Sequence, residues 1–596
     1  MVCSLIRTRY LMRNKYYSVF IKIIFISFLL SASGSCSLFF PYNLTVKIEP
    51  EGAGTVTVTP DRNFYKRGEP VTLTAESEGE YYFAGWQGDY SGNRSTAELI
   101  MDSDKEITAV FTKVERKAWT LMIYLDTDNN LELAGIVDFN EMEKGIFDAI
   151  NSGNGDITDN LNLIVLMDRT EGESSQSTDP GGGDWTETRL YRIRGDNDPI
   201  AFGSERLDDG QLDLLGHVDP LGEKNMGSPA TLSWFIDYCN KWFPADNRML
   251  VLWNHGSGAR AVKGSLDGNA LSLSSVKAIA EDVDNGGDIL YLDEVQQALK
   301  KDFNAQDKLD ILGFDACLMQ TVEVGYEIRD LVRYMVGSMY LEQGNGWPYH
   351  TLLGKLTGTK DESLIDPPAM ATHIVEVYRD YIENTYSSSQ TGETMSAVDL
   401  SKMGDLKSKI DALAGEMAAA GETGQKGNIE KTRDGSVHFY IDNLDSIAYP
   451  YYDLYDLCSN IKNDTGGFGF SQSLKDAAGA VITTLSSAVV YAYGDDGNGQ
   501  SSYLGTGSQV NRGLSIFFSR GDLMCDGYSH YACQWWYTSE DTKSWAGGDV
   551  QFLYGHIDFC DSNANGTVES WREFMEKWYD DPAIYSNQYG ATPSTW

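Results

Sequence analysis

Two side chains that could perform nucleophilic chemistry follow predicted buried strands. Cys317 comes after the apolar run 309–314, and a helix-like segment opens at Leu318. A thiol at such a junction lies near a helix N-terminus, whose partial positive charge favours the thiolate. His255 likewise follows the apolar run 249–253 and precedes a Gly-Ser-Gly sequence. Because most cysteines are simply small buried side chains, the thiol alone is a weak candidate.

Together the two residues could form the core of a thiol hydrolase. Parallel strands end at one edge of a sheet, so His255 and Cys317 are expected to meet there. His255 would then serve the thiol as a base, and the backbone N–H groups of Gly256 and Cys317 would stabilise an oxyanion. One alternative is a histidine that only hydrogen-bonds the backbone. Another is a zinc site, which no clustered Cys/His spacing supports.

The elements that position these residues alternate between strands and helices. The apolar runs that predict buried strands are 119–125, 161–167, 249–253, 309–314 and 334–339, and the helix-like segments are 132–150, 228–242 and 292–300. This alternation predicts an α/β fold with a mainly parallel sheet covered on both faces. Long polar insertions at 169–188 and 259–288 interrupt it, and such loops are usually functional or disordered.

The N-terminal part of the chain predicts export and a separate β module. Basic residues, the apolar run 23–30 and small residues up to Ser35 are typical of a signal peptide. Cys36 after SASGS resembles a relaxed bacterial lipobox, although Ser33 stands where that pattern has Leu or a similar residue. The resemblance implies a lipid anchor to the membrane of the bacterial cell envelope, with plain signal cleavage and secretion as the alternative. Residues 43–113 contain short alternating runs that predict an all-β module of about five strands.

The net charge narrows the range of partners. At −40 for 596 residues, the chain is not expected to bind nucleic acid. The charge suits an exported protein, a calcium binder or an enzyme that attracts cationic substrates, although an acidic surface also serves solubility alone.

Four motifs that occur in order resemble the clostripain family of cysteine peptidases. They are TLMIYLDTDNNLE (120–132), LWNHGSG (252–258), GFDACLMQTVEV (313–324) and GNGWPY (344–349). GLSIFFSRGD (513–522) resembles the family's terminal strand, so the resemblance covers roughly 117–540. It implies a caspase-like α/β/α sandwich, polypeptide substrates, a dyad of His255 and Cys317, and no cofactor for the chemistry. It also implies cleavage after Arg or Lys, self-cleavage between the dyad residues and, often, calcium dependence.

The N-terminal β module carries its own resemblance. YFAGWQG (82–88), followed by MDSDKEITAVF, is similar to the divergent internalin-type B repeat of bacterial surface proteins. This resemblance implies a spacer or adhesion module, and no residue in it suggests chemistry.

The predicted substrate pocket departs from the family pattern. Family members that prefer basic side chains commonly carry Asp in the fourth motif, where this chain has Asn345 beside Trp347. An amide lacks the charge that a desolvated guanidinium requires. Asp315, two residues before Cys317, is predicted to supply that charge, and it could also cap the following helix. The self-cleavage implied by the family would fall at Arg260, Lys263 or Lys277 in the insertion after His255.

Calcium is the one cation that the sequence suggests. In the C-terminal tail, the residues that resemble an EF-hand loop are Asp561, Asn563, Asn565 and Glu569, although Arg572 stands where the last ligand should be Glu. Asp126, Asp128, Asn129 and Asn130 follow the first strand, where they could bind a cation or simply form a turn.

The predicted organisation is therefore a signal peptide at 1–36, a β repeat at 43–113, a peptidase domain at 117–540 and a tail at 541–596. Cys239 and Cys458 are predicted to be core residues, and Cys560 could form a disulfide with Cys525 or Cys533. The predicted function is that of an exported cysteine endopeptidase. The alternative is a surface adhesion or scaffold protein whose peptidase-like domain is inactive.

Overall fold

The computed structural model divides the described chain into two compact units. One comprises the residues up to 114 together with 215–217, and the other comprises the remaining described residues. The described residues are 41–79, 81–92, 94–153, 156–170, 185–211, 215–256, 258, 279–356, 366–385, 393–439, 451–494, 512–518, 557–560 and 567–578.

The first unit consists of six strands in two small sheets. The strands are β1 (Leu44–Glu49), β2 (Gly54–Thr59), β3 (Glu69–Ser77), β4 (Tyr81–Gly88), β5 (Thr96–Met101) and β6 (Lys105–Lys113). Their orders are β1-β6-β4 and β2-β3-β5. The predicted small all-β unit is confirmed, with β4 in addition to the five predicted strands. Its aromatic sequence lacks polar alternation, and its pairing with β6 shifts between Phe83 and Gly85.

The second unit is built on a nine-stranded sheet of order β10-β9-β8-β7-β11-β14-β15-β16-β18. Its strands are β7 (Lys117–Thr127), β8 (Leu161–Arg169), β9 (Arg189–Arg192), β10 (Glu205–Arg206), β11 (Ala245–Trp253), β14 (Leu309–Asp315), β15 (Val332–Gly337), β16 (Thr394–Asp399) and β18 (Val489–Gly494). The five strands from β8 to β15 are parallel, and antiparallel strands complete both edges. Two small antiparallel pairs accompany this sheet: β12 (Ile279–Asp282) with β13 (Asp288–Leu290), and β17 (Tyr451–Asp453) with β19 (Ser515–Phe517).

Helices cover both faces of the sheet. They are α1 (Glu132–Asn151), α2 (Pro229–Trp242), α3 (Leu292–Leu299), α4 (Val322–Ile328), α5 (Tyr349–Gly354), α6 (Pro367–Thr385), α7 (Met403–Ala420), α8 (Lys426–Asp434), α9 (Leu454–Asn463), α10 (Gln472–Ala488) and α11 (Trp571–Trp578). Helices α1, α5 and α6 share one hydrophobic core with the sheet, and the other helices contribute to a second core on the opposite face.

This arrangement confirms the predicted α/β/α sandwich with a mainly parallel sheet. It also explains why the strands have apolar runs without alternation. In β7, Leu121 and Ile123 belong to one core, whereas Met122 and Tyr124 belong to the other. Since neighbouring side chains of a strand point to opposite faces, a strand covered on both sides needs apolar residues at every position.

The C-terminal part of the described chain contributes to the second core. Trp571, Phe574 and Trp578 of α11 are fully buried there, although the sequence analysis placed them in a tail.

Cys239 and Cys458 are buried as predicted, and Cys560 is a free, buried cysteine rather than a disulfide partner. Within the described residues, no helix combines the length and apolar character needed to cross a membrane.

Candidate active site

The pairing of two neighbouring strands brings His255 and Cys317 to the same edge of the sheet. Strands β11 and β14 run parallel, and their last paired residues are Trp253 and Asp315. His255 and Cys317 each follow two residues later, at the same end of the two strands. The Asn254 N–H also donates to the Asp315 carbonyl at 3.3 Å, which continues the ladder into the turns. The two predicted residues therefore lie at one sheet edge, and both are half-buried.

Glycine at position 256 allows the histidine turn to approach the cysteine turn. A Cβ atom at Gly256 would lie 2.3 Å from the Cys317 carbonyl oxygen and 3.0 Å from Ala316 Cβ. The first distance is far inside van der Waals contact with backbone, so no side chain fits there. This contact places both residues predicted to stabilise an oxyanion, Gly256 and Cys317, side by side.

The turn after Cys317 is tighter than the sequence predicted. Leu318 adopts the left-handed conformation with φ of 64°, which is strained for this residue type. Two backbone hydrogen bonds to the loop after β15 hold the turn: the Leu318 N–H donates to Tyr340, and the Gln320 N–H to Ser338, both at 2.9 Å.

Helix α4 does not begin at the cysteine. It begins at Val322, and Thr321 caps it by accepting a hydrogen bond from the Val324 N–H. Asp315 is therefore not its N-cap, and the prediction that a helix dipole favours the thiolate is wrong. Dipole effects fade within one helical turn, and the thiol lies outside that turn.

Burial instead keeps the thiol protonated. It raises the pKa of Cys317 to about 11, and the charges of Glu393 and Asp315 act in the same direction. The Glu342 N–H, which donates to Sγ at 3.3 Å, lowers the pKa by more than either of these charges raises it, but by less than burial raises it. With a pKa near 11, only about one thiol in ten thousand is ionised at pH 7. A thiol with so high a pKa would need a base to take its proton before it could act as a nucleophile.

The imidazole of His255 is oriented by the loop that follows β7. Its Nε2 atom donates to Asn130 Oδ1 at 2.9 Å, which leaves Nδ1 without a proton in the neutral ring. The preceding residue is anchored to the end of β7, because Asn254 Nδ2 donates to the Asp126 carboxylate at 2.8 Å. Asn130 thus has a positioning contact that the sequence did not reveal, since Asx residues after a strand are usually turn formers.

Asp315 is buried beside the predicted pocket motif. Its Oδ2 atom accepts hydrogen bonds from the Trp347 N–H at 3.1 Å and from the Tyr349 hydroxyl at 2.8 Å. Burial nevertheless raises the pKa of Asp315 to about 6. At neutral pH this carboxyl is mostly ionised, and it is the kind of buried charge that a cationic ligand would neutralise.

Further carboxylates that sequence reasoning missed lie around Asp315 and Cys317. Burial, followed by the charges of Asp315 and Cys317, raises the pKa of Glu342 well above its usual range. Asp138 contacts the same region, because a Cβ at Gly346 would lie 2.9 Å from Asp138 Oδ2 and 3.0 Å from Asp315 Oδ1. Glu342 stands two residues before the GNGWPY motif, so its position could have marked it as a candidate pocket residue. Asp138 lies in a helix where no sequence motif points to it.

The structure separates the two predicted pocket residues of that motif. Asn345 is exposed. Trp347 is fully buried, with its indole packed against Gly313 of β14, so its side chain belongs to the core and only its backbone serves Asp315. The prediction that the Trp347 side chain lines the pocket is thus corrected.

Several predicted sites fall outside the described residues. These are Cys36, the processing candidates Arg260, Lys263 and Lys277, and the EF-hand-like residues Asp561, Asn563 and Asn565. Glu569 is described, and its backbone N–H donates to the Glu573 carboxylate in the first turn of α11. The described ends of the processing insertion meet at the candidate site, because Gly256 bridges Ile279 of β12.

Comparisons with known proteins give consistent matches. The clostripain family matches residues 123–578, and a divergent InlB B-repeat domain matches 44–115. Clostripain of Hathewaya histolytica is 29% identical over 514 residues, covering 80% of this chain and 90% of that protein. A secreted cysteine protease from Bacteroides thetaiotaomicron with an irreversible peptide inhibitor aligns at 18% identity and TM-score 0.46, over 74% of this chain and 99% of the other. An inactive zymogen protease from Parabacteroides distasonis aligns at 19% identity and TM-score 0.44, over 68% of this chain and 93% of the other.

Proposed function

Since the chain belongs to the clostripain family and is a cysteine endopeptidase, we propose that His255 and Cys317 form its catalytic dyad. The observation that carries this assignment is their alignment beyond paired residues of adjacent parallel strands, with Gly256 against the Cys317 carbonyl. Such chemistry needs no cofactor, and its substrates are polypeptides.

The proposed reaction begins with a neutral thiol. His255 accepts the thiol proton at Nδ1 as Sγ attacks the scissile carbonyl, and Asn130 stabilises the resulting imidazolium through Nε2. The N–H groups of Gly256 and Cys317 bind the oxyanion. The imidazolium then protonates the leaving amine, which leaves a thioester. Water, deprotonated by His255, hydrolyses this thioester and restores the thiol.

We propose that the enzyme cleaves after Arg or Lys. Asp315, Glu342 and Asp138 place three buried carboxyl groups beside the nucleophile. Three of their oxygens, both of Glu342 and Oδ1 of Asp138, receive no hydrogen bond from the described residues. Buried acceptors without donors are costly, and a guanidinium or ammonium group would satisfy them. The bound cation would favour the ionised form of Glu342, which would then supply the negative charge that Asn345 lacks.

Self-activation and surface anchoring complete the proposal. The insertion after His255 leaves and re-enters at the active-site edge, which supports cleavage at Arg260, Lys263 or Lys277.

The basic, apolar and small-residue order of residues 1–35 supports export, with lipidation of Cys36. Metabolic labelling with a radioactive fatty acid tests the anchor. Label retained by Cys36→Ala would contradict it.

The dyad is tested by two substitutions. Cys317→Ala should abolish peptide hydrolysis, and His255→Ala should reduce kcat by about a thousandfold or more, because no other base is positioned to accept the thiol proton. The half-buried Cys317 should also be alkylated by iodoacetamide, whereas buried Cys239 and Cys458 serve as internal controls that stay unlabelled. Circular dichroism of both variants verifies the fold. Hydrolysis that persists in Cys317→Ala would refute the assignment.

A further inference from the structure

Apolar side chains flank Cys317 on the side away from His255, because β14 lies between β11 and β15 in the sheet. They are Tyr340, Leu341 and Phe439, which we call the apolar patch. Phe439 is buried, whereas Tyr340 and Leu341 are half-buried. All three pack against the second hydrophobic core, as Cys317 does. The rings of Tyr340 and Phe439 lie 5.9 Å apart, so the patch is continuous from the loop after β15 into the core.

Backbone contacts hold the patch directly beside the nucleophile. The Tyr340 carbonyl accepts the Leu318 N–H at 2.9 Å, and the Glu342 N–H donates to Cys317 Sγ at 3.3 Å. Leu341 lies between these two contacts. Among the described residues, none forms a hydrogen bond with the backbone N–H or carbonyl of Leu341. An extended peptide that passes Cys317 could therefore pair with this backbone, as peptides do with unpaired strand edges.

The proposed reaction, on which this inference rests, sets the direction of the substrate. His255 gives its proton to the leaving amine, so the residues after the scissile bond extend toward the end of β11. The residues before the bond must then extend the opposite way, toward the loop after β15. That loop carries Tyr340 and Leu341.

The two faces of the sheet separate the acidic pocket from the apolar patch. Asp315 accepts a hydrogen bond from Tyr349, which belongs to the core on the side of α1, α5 and α6. The apolar patch belongs to the core on the opposite face. Neighbouring side chains of an extended peptide point to opposite sides. When a basic side chain enters the pocket at Asp315, the side chain immediately before it therefore points toward the patch.

We propose that the apolar patch is a substrate subsite that selects an apolar side chain immediately before the Arg or Lys. Such a side chain removes its own apolar surface and that of Leu341 and Tyr340 from water, which favours binding. A carboxylate at the same position would lose hydration without gaining a partner, and it would meet a chain with a net charge of −40. The enzyme thus recognises an apolar residue followed by a basic one.

The test compares fluorogenic peptides that differ only in the residue before Arg, which is Leu, Gly, Asp or Lys. For the full-length wild-type enzyme, kcat/KM should be higher with Leu than with Gly by about tenfold or more, because an apolar subsite discriminates by this amount between side chains that fill it and those that do not. The peptide with Asp should be the poorest substrate.

Two variants of one residue assign this preference to the patch. Leu341→Ala should lower the Leu-to-Gly ratio of kcat/KM by about threefold or more, because it removes part of the contact surface. Leu341→Asp should raise the Lys-to-Leu ratio by about tenfold, because the new carboxylate attracts the lysine. Ile200→Ala removes an exposed apolar side chain between β9 and β10 and serves as the matched control, with unchanged ratios.

Ratios separate the subsite from the catalytic residues, because a displaced nucleophile slows all four peptides alike. The proposal is overturned if the wild-type enzyme hydrolyses the Leu and Gly peptides equally. It is also overturned if both Leu341 variants keep the wild-type ratios, or if they slow every peptide by the same factor. Hydrolysis of a matched peptide with Gln in place of Arg would contradict only the basic pocket. No hydrolysis of any peptide would refute the proposed dyad and the subsite with it.

Discussion

Glu342 links specificity to a single side chain. Because a bound Arg or Lys side chain would favour the ionised form of Glu342, whose pKa burial otherwise raises, Glu342→Gln should lower kcat/KM for substrates with Arg or Lys before the cut by about tenfold or more. Hydrolysis of substrates with a neutral residue there should change little. The variant keeps the backbone N–H that contacts Sγ, so a merely structural effect would reduce both kinds of substrate equally.

The matched comparison is Asn345→Asp. Asn345 is exposed, so a new charge there is screened by water and should raise the basic preference much less than Glu342→Gln reduces it. Profiling both variants with a peptide library decides the matter. A library profile dominated by apolar or acidic residues in the parent enzyme would contradict the acidic pocket while leaving the dyad intact.

At the residue scale, the sequence marks the candidate residues directly, but it does not reveal their surroundings. His255, Gly256 and Cys317 follow apolar strands, a local pattern that the sequence displays directly. The thiol's protonation state was predicted wrongly because it depends on burial and on Glu393, which is distant in sequence. Likewise, the roles of Asn130 and Asp138 arise from contacts across the fold, for which one sequence contains no signal.

At the element scale, long buried strands were predictable, and short turns were not. The predicted runs 161–167 and 309–314 fall within β8 and β14, since continuous apolar sequence suits a doubly covered sheet. The segment from Leu318 to Val322 looked helical because its apolar residues have helical spacing. Hydrogen bonds to the loop after β15 override that preference and delay α4.

The insertion between β11 and β12 carries the prediction about activation. Its described ends lie at the candidate site, so the purified wild-type enzyme should cleave itself at Arg260, Lys263 or Lys277. Cys317→Ala should remain intact under the same conditions. Parallel pairing of β11 with β14 should keep the two fragments together, because the strands lie on opposite sides of the cut.

Mass spectrometry of the matured protein identifies the cut. Replacing all three basic residues with Gln provides the matched control, since it changes the insertion without touching the described site. This variant should stay a single chain with reduced activity. Full activity in an uncut wild-type chain would show that the enzyme needs no processing.

At the scale of the whole molecule, buried acid groups set the response to pH. Burial raises the pKa of Asp315 to about 6, and of Glu143 and Glu327 to about 7. The folded chain thus binds more protons than the unfolded chain between roughly pH 4 and 7. Stability from these groups is complete below their unfolded pKa values and is lost as the pH rises through the folded ones. The net charge of −40 adds self-repulsion in the same direction.

The Tm should therefore be higher at pH 5 than at pH 8 when measured on Cys317→Ala in the presence of a calcium chelator. Glu327→Gln should flatten this dependence, because the amide oxygen can still accept the Phe559 N–H, which lies 2.9 Å from Glu327 Oε1, while the titrating proton is gone. Calorimetric scans from pH 5 to pH 8 compare the Tm values of the two proteins. Asp330→Asn changes a carboxyl group at an exposed position and serves as the control, for which the slope of Tm against pH should stay unchanged. A Tm that rises steadily from pH 5 to pH 8 in the parent protein would mean that the buried carboxyl groups are compensated by contacts other than those described.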